Sequence, residues 1–231
     1  MRPLPVRRAY DAIAPEYDAS VAPSAWVRES LWTRLDVLFP PGSRVLDVTA
    51  GTGLDVLHLA ERGVRVTACD ISPGMLARLS AKAPAVPTLV ADLQRLDEAD
   101  LVGPFDGLIS TFAGLNAAAD LTGFARAAAR LVRPGGVLFL HVLNRLRKGL
   151  GKGGLLTVRI AGVEVPHRLW SPRELARVFV PAFSRSRVAG QGILRPVDDP
   201  GRFSRLERAL SGLPVARALG TFFSLELIRR G

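Results

Sequence analysis

The sequence predicts an α/β fold: a mostly parallel sheet with helices wound on both faces. Three observations carry that prediction. The first is Arg44–Gly53, Arg-Val-Leu-Asp-Val-Thr-Ala-Gly-Thr-Gly, an apolar run that carries one acid and ends in a turn held open by two glycines. It reads as a buried strand, a tight loop and the start of a helix. The second is Leu54–Arg62, with apolar residues at Leu54, Val56, Leu57, Leu59 and Ala60, and with Gly63 as a helix stop. The third is a second apolar strand, Val64–Cys69, which runs directly into Asp70. Together they make one β-α-β unit with an acid at the end of its second strand. An acid there can accept hydrogen bonds from both hydroxyls of a ribose.

Two kinds of nucleoside suit such a unit. A nicotinamide dinucleotide calls for G-x-G-x-x-G, with the helix N-terminus on the pyrophosphate. Here the third glycine position is Val56 and the helix opens with Leu54-Asp55, an acid expected to repel a pyrophosphate. S-adenosylmethionine has no phosphate. It has a cationic amino group and sulfonium, a carboxylate and a ribose. Asp47 at the strand end can meet the cationic end, and Asp70 the ribose. Gly51 and Gly53 suit a loop that a ligand approaches closely.

With these residues in place, the sequence resembles the class I S-adenosylmethionine-dependent methyltransferases. The family pattern D/E-x-G-x-G-x-G stands here as Asp47-Val-Thr49-Ala50-Gly51-Thr-Gly53, with Thr49 in place of the first glycine. That change is expected to narrow the loop slightly without removing binding. Asp70-Ile71-Ser-Pro-Gly-Met75, Ala91-Asp92-Leu93 and Leu131-Val-Arg-Pro-Gly-Gly136-Val-Leu follow in register, so the resemblance covers roughly residues 40–145. It implies a doubly wound, mostly parallel, seven-stranded Rossmann-like sheet with an antiparallel C-terminal hairpin and an N-terminal helical lid. The lid would occupy residues 1–40, the cofactor core 41–145, and the substrate-side insertions and closing hairpin 146–231. Asp47, Thr49, Ala50, Gly51, Gly53, Asp70, Ile71, Asp92 and Leu93 would bind the cofactor, with Asp92 taking the adenine amino group and the Leu93 amide a ring nitrogen. Met75 either touches the adenine or packs in the core.

The remaining elements follow in order. Val6–Ile13 and Ser24–Phe39 have helical character, with Ser24 as N-cap of the second. Tyr10-Asp-x-x-Ala-x-x-Tyr17-Asp18 resembles a lid signature of small-molecule methyltransferases; it implies that Tyr17 approaches the cofactor and that Tyr10 or Trp26 faces substrate. These aromatics otherwise pin the helices to the core. Ser72-Pro73 opens a second crossover helix. Val86–Ala91 and Phe105–Thr111 read as strands, and Asp120–Val132 as an amphipathic helix. Thr111 and Phe112, beyond the carboxyl end of the fourth strand, are expected beside the cofactor, and Asn116 beside substrate. Arg-Pro-Gly-Gly is read as a turn and Val137–Val142 as the fifth strand, leading to Asn144, a substrate-side candidate.

His141 sits at the active end of that strand and is a candidate general base; His167 is a second. A structural histidine is the alternative for both, and His58 is read as structural. Gly149–Gly154 looks like a flexible basic loop. Leu155–Ile160 and Val163–Arg168 read as a hairpin around Ala-Gly, over the active site. Trp170 is a further substrate-side candidate, just before the Ser171-Pro172 helix start. Arg185–Gly192 and Thr221–Arg229 are the last strands, with residues 196–219 an inserted helical excursion.

At 231 residues the chain is read as one domain. No run of about 18 apolar residues occurs, and the N-terminus lacks the apolar core of a signal peptide. Cys69, the single cysteine, is read as a buried inert thiol, so no disulfide or cysteine metal site forms within one chain. These features fit the cytoplasm. The net charge is +10, nearly all from arginine. It fits an anionic partner such as RNA, or simply a solvated arginine-rich surface. The basic residues are not interleaved with aromatics as on a base-stacking surface, which disfavours nucleic acid.

The expected activity is metal-free methyl transfer from S-adenosylmethionine, leaving S-adenosylhomocysteine, to an oxygen, nitrogen or carbon of a small organic acceptor. An RNA methyltransferase and a non-catalytic cofactor-binding partner protein are the competing readings. Oligomerisation stays open. No D/N-P-P-Y/F motif occurs at the fourth strand exit, which argues against amide and nucleic-acid amino acceptors.

Overall fold

The computed structural model describes residues 5–147, 154–193, 210, 211, 213 and 216–231. Nine strands are described: β1 (Arg44–Asp47), β2 (Arg65–Asp70), β3 (Thr88–Val90), β4 (Phe105–Ser110), β5 (Val132–Leu143), β6 (Leu155–Ile160), β7 (Val163–Arg168), β8 (Phe183–Gln191) and β9 (Phe222–Arg229). Seven of them form one sheet in the order β3-β2-β1-β4-β5-β9-β8. β9 is inserted antiparallel between β5 and β8, and the other neighbours run parallel. The chain winds outward from β1 to β3, then returns to place β4 on the other side of β1. That reversal opens a crevice beyond the carboxyl ends of β1 and β4, where α/β sheets hold their ligands.

The strands are apolar on both faces because both faces are covered. In β1 and β4, Val45 and Ile109 face one layer while Leu46 and Leu108 face the other. The first layer is α3 (Ala25–Leu38), α4 (Leu54–Glu61) and α5 (Pro73–Lys82), which bury Leu31, Leu35, Val56, Leu59 and Leu79. The second holds α6 (Thr122–Leu131) and α7 (Pro172–Val178), which bury Phe124, Ala127, Leu131 and Leu175. Local chemistry sets the helix starts. Ser72 accepts from the Met75 amide ahead of α5, and Ser171 and Glu174 form a reciprocal capping box at α7. Ser24 stands at the N-cap of α3 but makes no cap hydrogen bond, because its hydroxyl donates back to the Val21 carbonyl at 2.7 Å.

Two expectations shift in detail. The Arg-Pro-Gly-Gly turn lies inside β5: Val132 pairs with Phe105 and Val137 with Gly107, so residues 133–136 bulge out of one continuous strand. The hairpin β6–β7 forms a separate two-stranded sheet. Its turn residues Ala161 and Gly162 both have positive φ, 45° and 79°, as a two-residue turn matched to strand twist requires. Its tip, Ile160, Ala161 and Val163, packs on Ile13, Ala14 and Met75, against the N-terminal helices α1 (Val6–Ile13) and α2 (Tyr17–Val21). The glycine-rich loop falls outside the described residues apart from Gly154. So does most of the excursion over 196–219, of which a short helix Ala216–Leu219 is described. Among the described residues, no helix is long and apolar enough to cross a membrane.

Phe39, at the end of α3, lies against the sheet where Gly107 has no side chain. A Cβ there would stand 2.3 Å from the Phe39 ring and 2.6 Å from the Val137 carbonyl oxygen. Gly107→Ala is expected to cost about 1–3 kcal/mol by overpacking, read as a lower urea midpoint at an unchanged slope.

Candidate functional site

The exit of β1 is built around its own acid. Asp47 is buried, and its Oδ1 accepts the Thr49 amide at 3.0 Å. Burial, reinforced by the charge of Asp55, raises the Asp47 pKa well above the usual carboxylate value. The Ala50 amide donates to the Cys69 carbonyl at 2.9 Å, tying the loop to β2. Gly51 has φ +55°, and its amide donates to Asp70 Oδ2 at 2.9 Å. A Cβ at Gly51 would meet nothing within 4 Å, so the backbone stands bare toward the crevice. Gly53 does a different job from the one expected. Its φ is +89°, and a Cβ would lie 2.6 Å from Leu79, so its bare backbone admits α5.

Thr49 is accommodated by a second glycine. Its Oγ1 lies 2.8 Å from Ser110 Oγ, and a Cβ on Gly114 would reach 2.5 Å from the Thr49 Cβ. Asp70 is almost buried and accepts from two amides, Gly51 on Oδ2 and Ser72 on Oδ1 at 2.9 Å. Burial is the largest influence on it, and the net effect is a raised pKa. The Cys69 thiol, behind this wall, is pushed up to about 12 by burial.

These residues line one cavity. Tyr10 and Tyr17 come from the N-terminal helices; Val48, Thr49, Gly51, Asp70, Ile71 and Met75 from the first two strand exits; Asp92, Leu93, Thr111 and Phe112 from the next two. Asp92 Oδ1 accepts the Gln94 amide at 2.9 Å. Tyr10 and Tyr17 thus share one space with the acids, and burial raises both phenol pKa values. The Tyr-Asp pair recurs seven residues apart, once in α1 and once in α2, and each aspartate fastens its helix to a loop beside the cavity. Asp11 Oδ1 accepts Ser72 Oγ at 2.6 Å and the Gly74 amide at 3.0 Å. Asp18 accepts from the Thr52 hydroxyl and, at 2.9 Å, from Lys82 Nζ.

Asp55 is corrected most. It is only 4% exposed and accepts from Arg28 Nη1, the Thr111 hydroxyl and, at 2.7 Å, Trp32 Nε1. Burial alone would raise its pKa, but the Arg28 charge and these three donors bring it below the usual value. Its charge is cancelled inside the protein, so it does not stand as a free acid against a phosphate. Arg28, and its pairing with Asp55, were not singled out by sequence. The signal was present: Arg28 interrupts the apolar stripe Val27, Leu31, Leu35, and a charge on a buried stripe requires a partner.

Other substrate-side candidates fall away from the cavity. Asn116 is buried with its amide consumed: Oδ1 accepts the Leu143 amide at 3.0 Å, and Nδ2 donates to the Arg168 carbonyl at 2.6 Å. Asn144 Nδ2 donates to the Gly220 carbonyl at 3.0 Å, and Oδ1 accepts the Leu146 amide. Both amides splice strand ends together. Trp26 lines a different hollow, with Arg34 and Arg187. Trp170 is buried under the Arg168 guanidinium, beside α6 and α7. His167 is buried with Nδ1 2.9 Å from the Val165 carbonyl, and burial lowers its pKa. His58 stacks on Trp32 and bonds Asp36 at 2.7 Å.

His141 is fully buried behind Phe112. Its Nδ1 accepts the Phe112 amide at 3.2 Å, and its carbonyl accepts the Ala113 amide at 3.1 Å. Burial, helped by the Arg28 charge, lowers its pKa to about 3. The ring is therefore neutral near pH 7, with the proton on Nε2. That makes it a donor and a poor general base. Phe112 and Ala113 have φ +48° and +65°, strained for residues with side chains, and these two hydrogen bonds hold them there.

Two outcomes test this geometry. Arg28→Met strands the Asp55 carboxylate and is expected to cost about 3–5 kcal/mol; adding Asp55→Leu recovers most of it in a denaturation cycle. Gly114→Ala is expected to destabilise by about 1–3 kcal/mol, and Thr49→Gly in the same chain to relieve it.

Known methyltransferases resemble this chain in sequence and in fold. Residues 45–136 match a model of the methyltransferase domain. A demethylmenaquinone methyltransferase from Beutenbergia cavernae is 37% identical over 139 residues, 59% of this chain and 57% of that protein. Its counterpart from Mycolicibacterium vanbaalenii is 35% identical over 139 residues, 59% of each. The matched region thus spans under two thirds of these relatives. The CcbJ methyltransferase from Streptomyces caelestis shares the fold at a TM-score of 0.69 and 17% identity, over 95% of this chain and 96% of that one. The DhpI–SAH complex does so at 0.66 and 19%, over 98% of each. Over residues 45–136 the chain is thus similar to the methyltransferase domain, and its sheet order and fold are shared with solved methyltransferases.

Proposed function

We propose that the chain transfers a methyl group from S-adenosylmethionine to a small organic acceptor. The observation that carries this reading is the make-up of the cavity lining. It contains two acids, Asp70 and Asp92, and among the described lining residues no lysine or arginine. A pyrophosphate would meet no cation there, whereas a cationic, phosphate-free cofactor suits it. The bare backbone at Gly51 fits the same group, because a Cβ would fill space left open to it.

In this reading Asp70 accepts the ribose hydroxyls with the lone pairs that the Gly51 and Ser72 amides leave free. Asp92 and the Leu93 amide hold the adenine. Tyr17, Asp47 and the β1 exit face the amino-acid end. Bound S-adenosylmethionine supplies a methyl already activated on a cationic sulfur. The chain's part is then to hold donor and acceptor together and to keep water out. The two Tyr-Asp pairs do this by closing the N-terminal helices over the cavity. The names of the curated relatives support a small-molecule acceptor.

Calorimetry with S-adenosylhomocysteine tests the reading, with NAD as the control ligand. Binding near micromolar, about −8 kcal/mol, is expected for the first and none for NAD. Asp92→Ala is expected to weaken binding about tenfold, about 1.4 kcal/mol, with the fold intact by circular dichroism. NAD binding as tight as that of S-adenosylhomocysteine, or an unchanged affinity in Asp92→Ala, would sink it.

A further inference from the structure

Most of the described arginines are engaged. Arg34 and Arg187 share Glu226, Arg145 holds Glu174, and Arg126 holds Asp97. Arg168 donates to the Ala119 carbonyl, and Arg229 to the Ala129 and Ala182 carbonyls. Among the described residues, Arg8, Arg78, Arg173, Arg177, Arg185 and Arg230 make no ion pair and no side-chain hydrogen bond. Four of these, Arg173, Arg177, Arg185 and Arg230, line a single hollow, and its described lining holds no acid. The bed of the hollow is apolar, with Val180 61% exposed and Phe183 buried.

Helix chemistry accounts for only one of the four. Arg177 stands in the last turn of α7, where the helix dipole favours a cation, but Arg173 stands in the first turn, where it does not. The two lie four residues apart on one helix face, so their charges repel. Arg185 reaches the hollow through a break in β8. In a regular strand residues 185 and 187 would share a face. Here the register shifts between them: Arg185 pairs with Leu227 and Arg187 with Glu226, which leaves Ser186 as an extra residue. Arg187 thus turns to Glu226 on the α3 side, and Arg185 to the α7 side with Arg173 and Arg177. Bulges re-aim side chains in this way beside functional sites.

The hollow is remote from the cavity described above. β9 runs antiparallel to β5, so its last residues lie at the amino-terminal end of the parallel strands, and the start of β8 pairs with them. The cavity lies beyond the carboxyl ends of those strands, and no described residue lines both.

We propose that the four-arginine hollow is a binding site for a diphosphate anion, either inorganic pyrophosphate or the diphosphate of a nucleotide. A planar guanidinium fork matches phosphate oxygens two at a time. Four forks carry four positive charges, whereas one phosphate group near pH 7 carries about −1.5 to −2. Two linked phosphates come closer to balance. A single strand of nucleic acid would call for exposed aromatic faces on which its bases stack. The one aromatic in this lining, Phe183, is 2% exposed, so phosphates and not bases are read. The same anion is turned away from the other cavity, whose described lining holds acids and no lysine or arginine. Binding makes and breaks no bond; it relieves the repulsion among the four charges.

Calorimetry on the full chain at low ionic strength tests the site, with inorganic pyrophosphate as the probe. One molecule is expected to bind, with orthophosphate weaker by about tenfold and uridine diphosphate equal to pyrophosphate. Arg177→Gln with Arg230→Gln is expected to weaken the probe by about tenfold or more, and Arg185→Gln alone to weaken it less. All three residues are exposed and unpaired, so the fold is expected to stay intact by circular dichroism. Arg8→Gln with Arg78→Gln removes the same net charge elsewhere and is expected to leave the affinity unchanged. Equal losses in the two double variants would mean solvated surface charge only, and would overturn the site. So would displacement of the probe by S-adenosylhomocysteine, or retention on phosphatidylglycerol vesicles by a chain that gives no heat with pyrophosphate.

Discussion

The site depends on one buried carboxylate. Asp55 begins α4, yet it holds Arg28 and Trp32 of α3 and Thr111 at the exit of β4. These bonds tie α3 and α4 to the β4 exit, where Thr111 lines the cavity. Removing a carboxylate from water is costly unless its lone pairs are filled and its charge is paired. Asp55 meets both conditions only when α3, α4 and the β4 exit are in register. The crevice therefore has its shape because the alternative is an unpaired charge in the core.

A second constraint acts on the backbone. The β1 and β4 exits must approach closely for the crevice to be narrow, and each keeps a residue without a side chain for that purpose. Gly114 makes room for Thr49, and Gly51 leaves bare backbone toward the cavity. The replacement of a family glycine by Thr49 is thus balanced across the sheet, not within its own loop. At the same exit, Phe112 and Ala113 keep strained dihedrals because His141 accepts both amides, one on its ring and one on its carbonyl. Strained dihedrals, an aromatic wall and the unpartnered His141 Nε2 meet at this exit.

The N-terminal helices complete the enclosure by a repeated device. Each Tyr-Asp pair sends a ring into the cavity and a carboxylate onto a loop that the cavity needs, one at the α5 start and one in the glycine turn. The β6–β7 tip then presses on their outer surface. Enclosure from both sides allows helices this short to hold position, since neither is long enough to be stable alone.

Much of the fold and half of the site were legible in the sequence, for local reasons. Apolar runs that end in glycine turns or in an acid determined the strands, the β-α-β unit and the placement of Gly51, Asp70 and Asp92, because strand period, positive φ and capping act over a few residues. The roles of Asn116, Asn144, Trp26 and His167 were not legible. A polar side chain near a strand end reads as a ligand contact until the backbone groups that consume it are known, and for the two asparagines these include groups 27, 52 and 76 residues away. Asp55 shows the limit most clearly. The sequence by itself determined that an acid opens α4. Only the tertiary structure decided that this acid is neutralised by Arg28, because the energy of a buried charge is set by what packs around it in space.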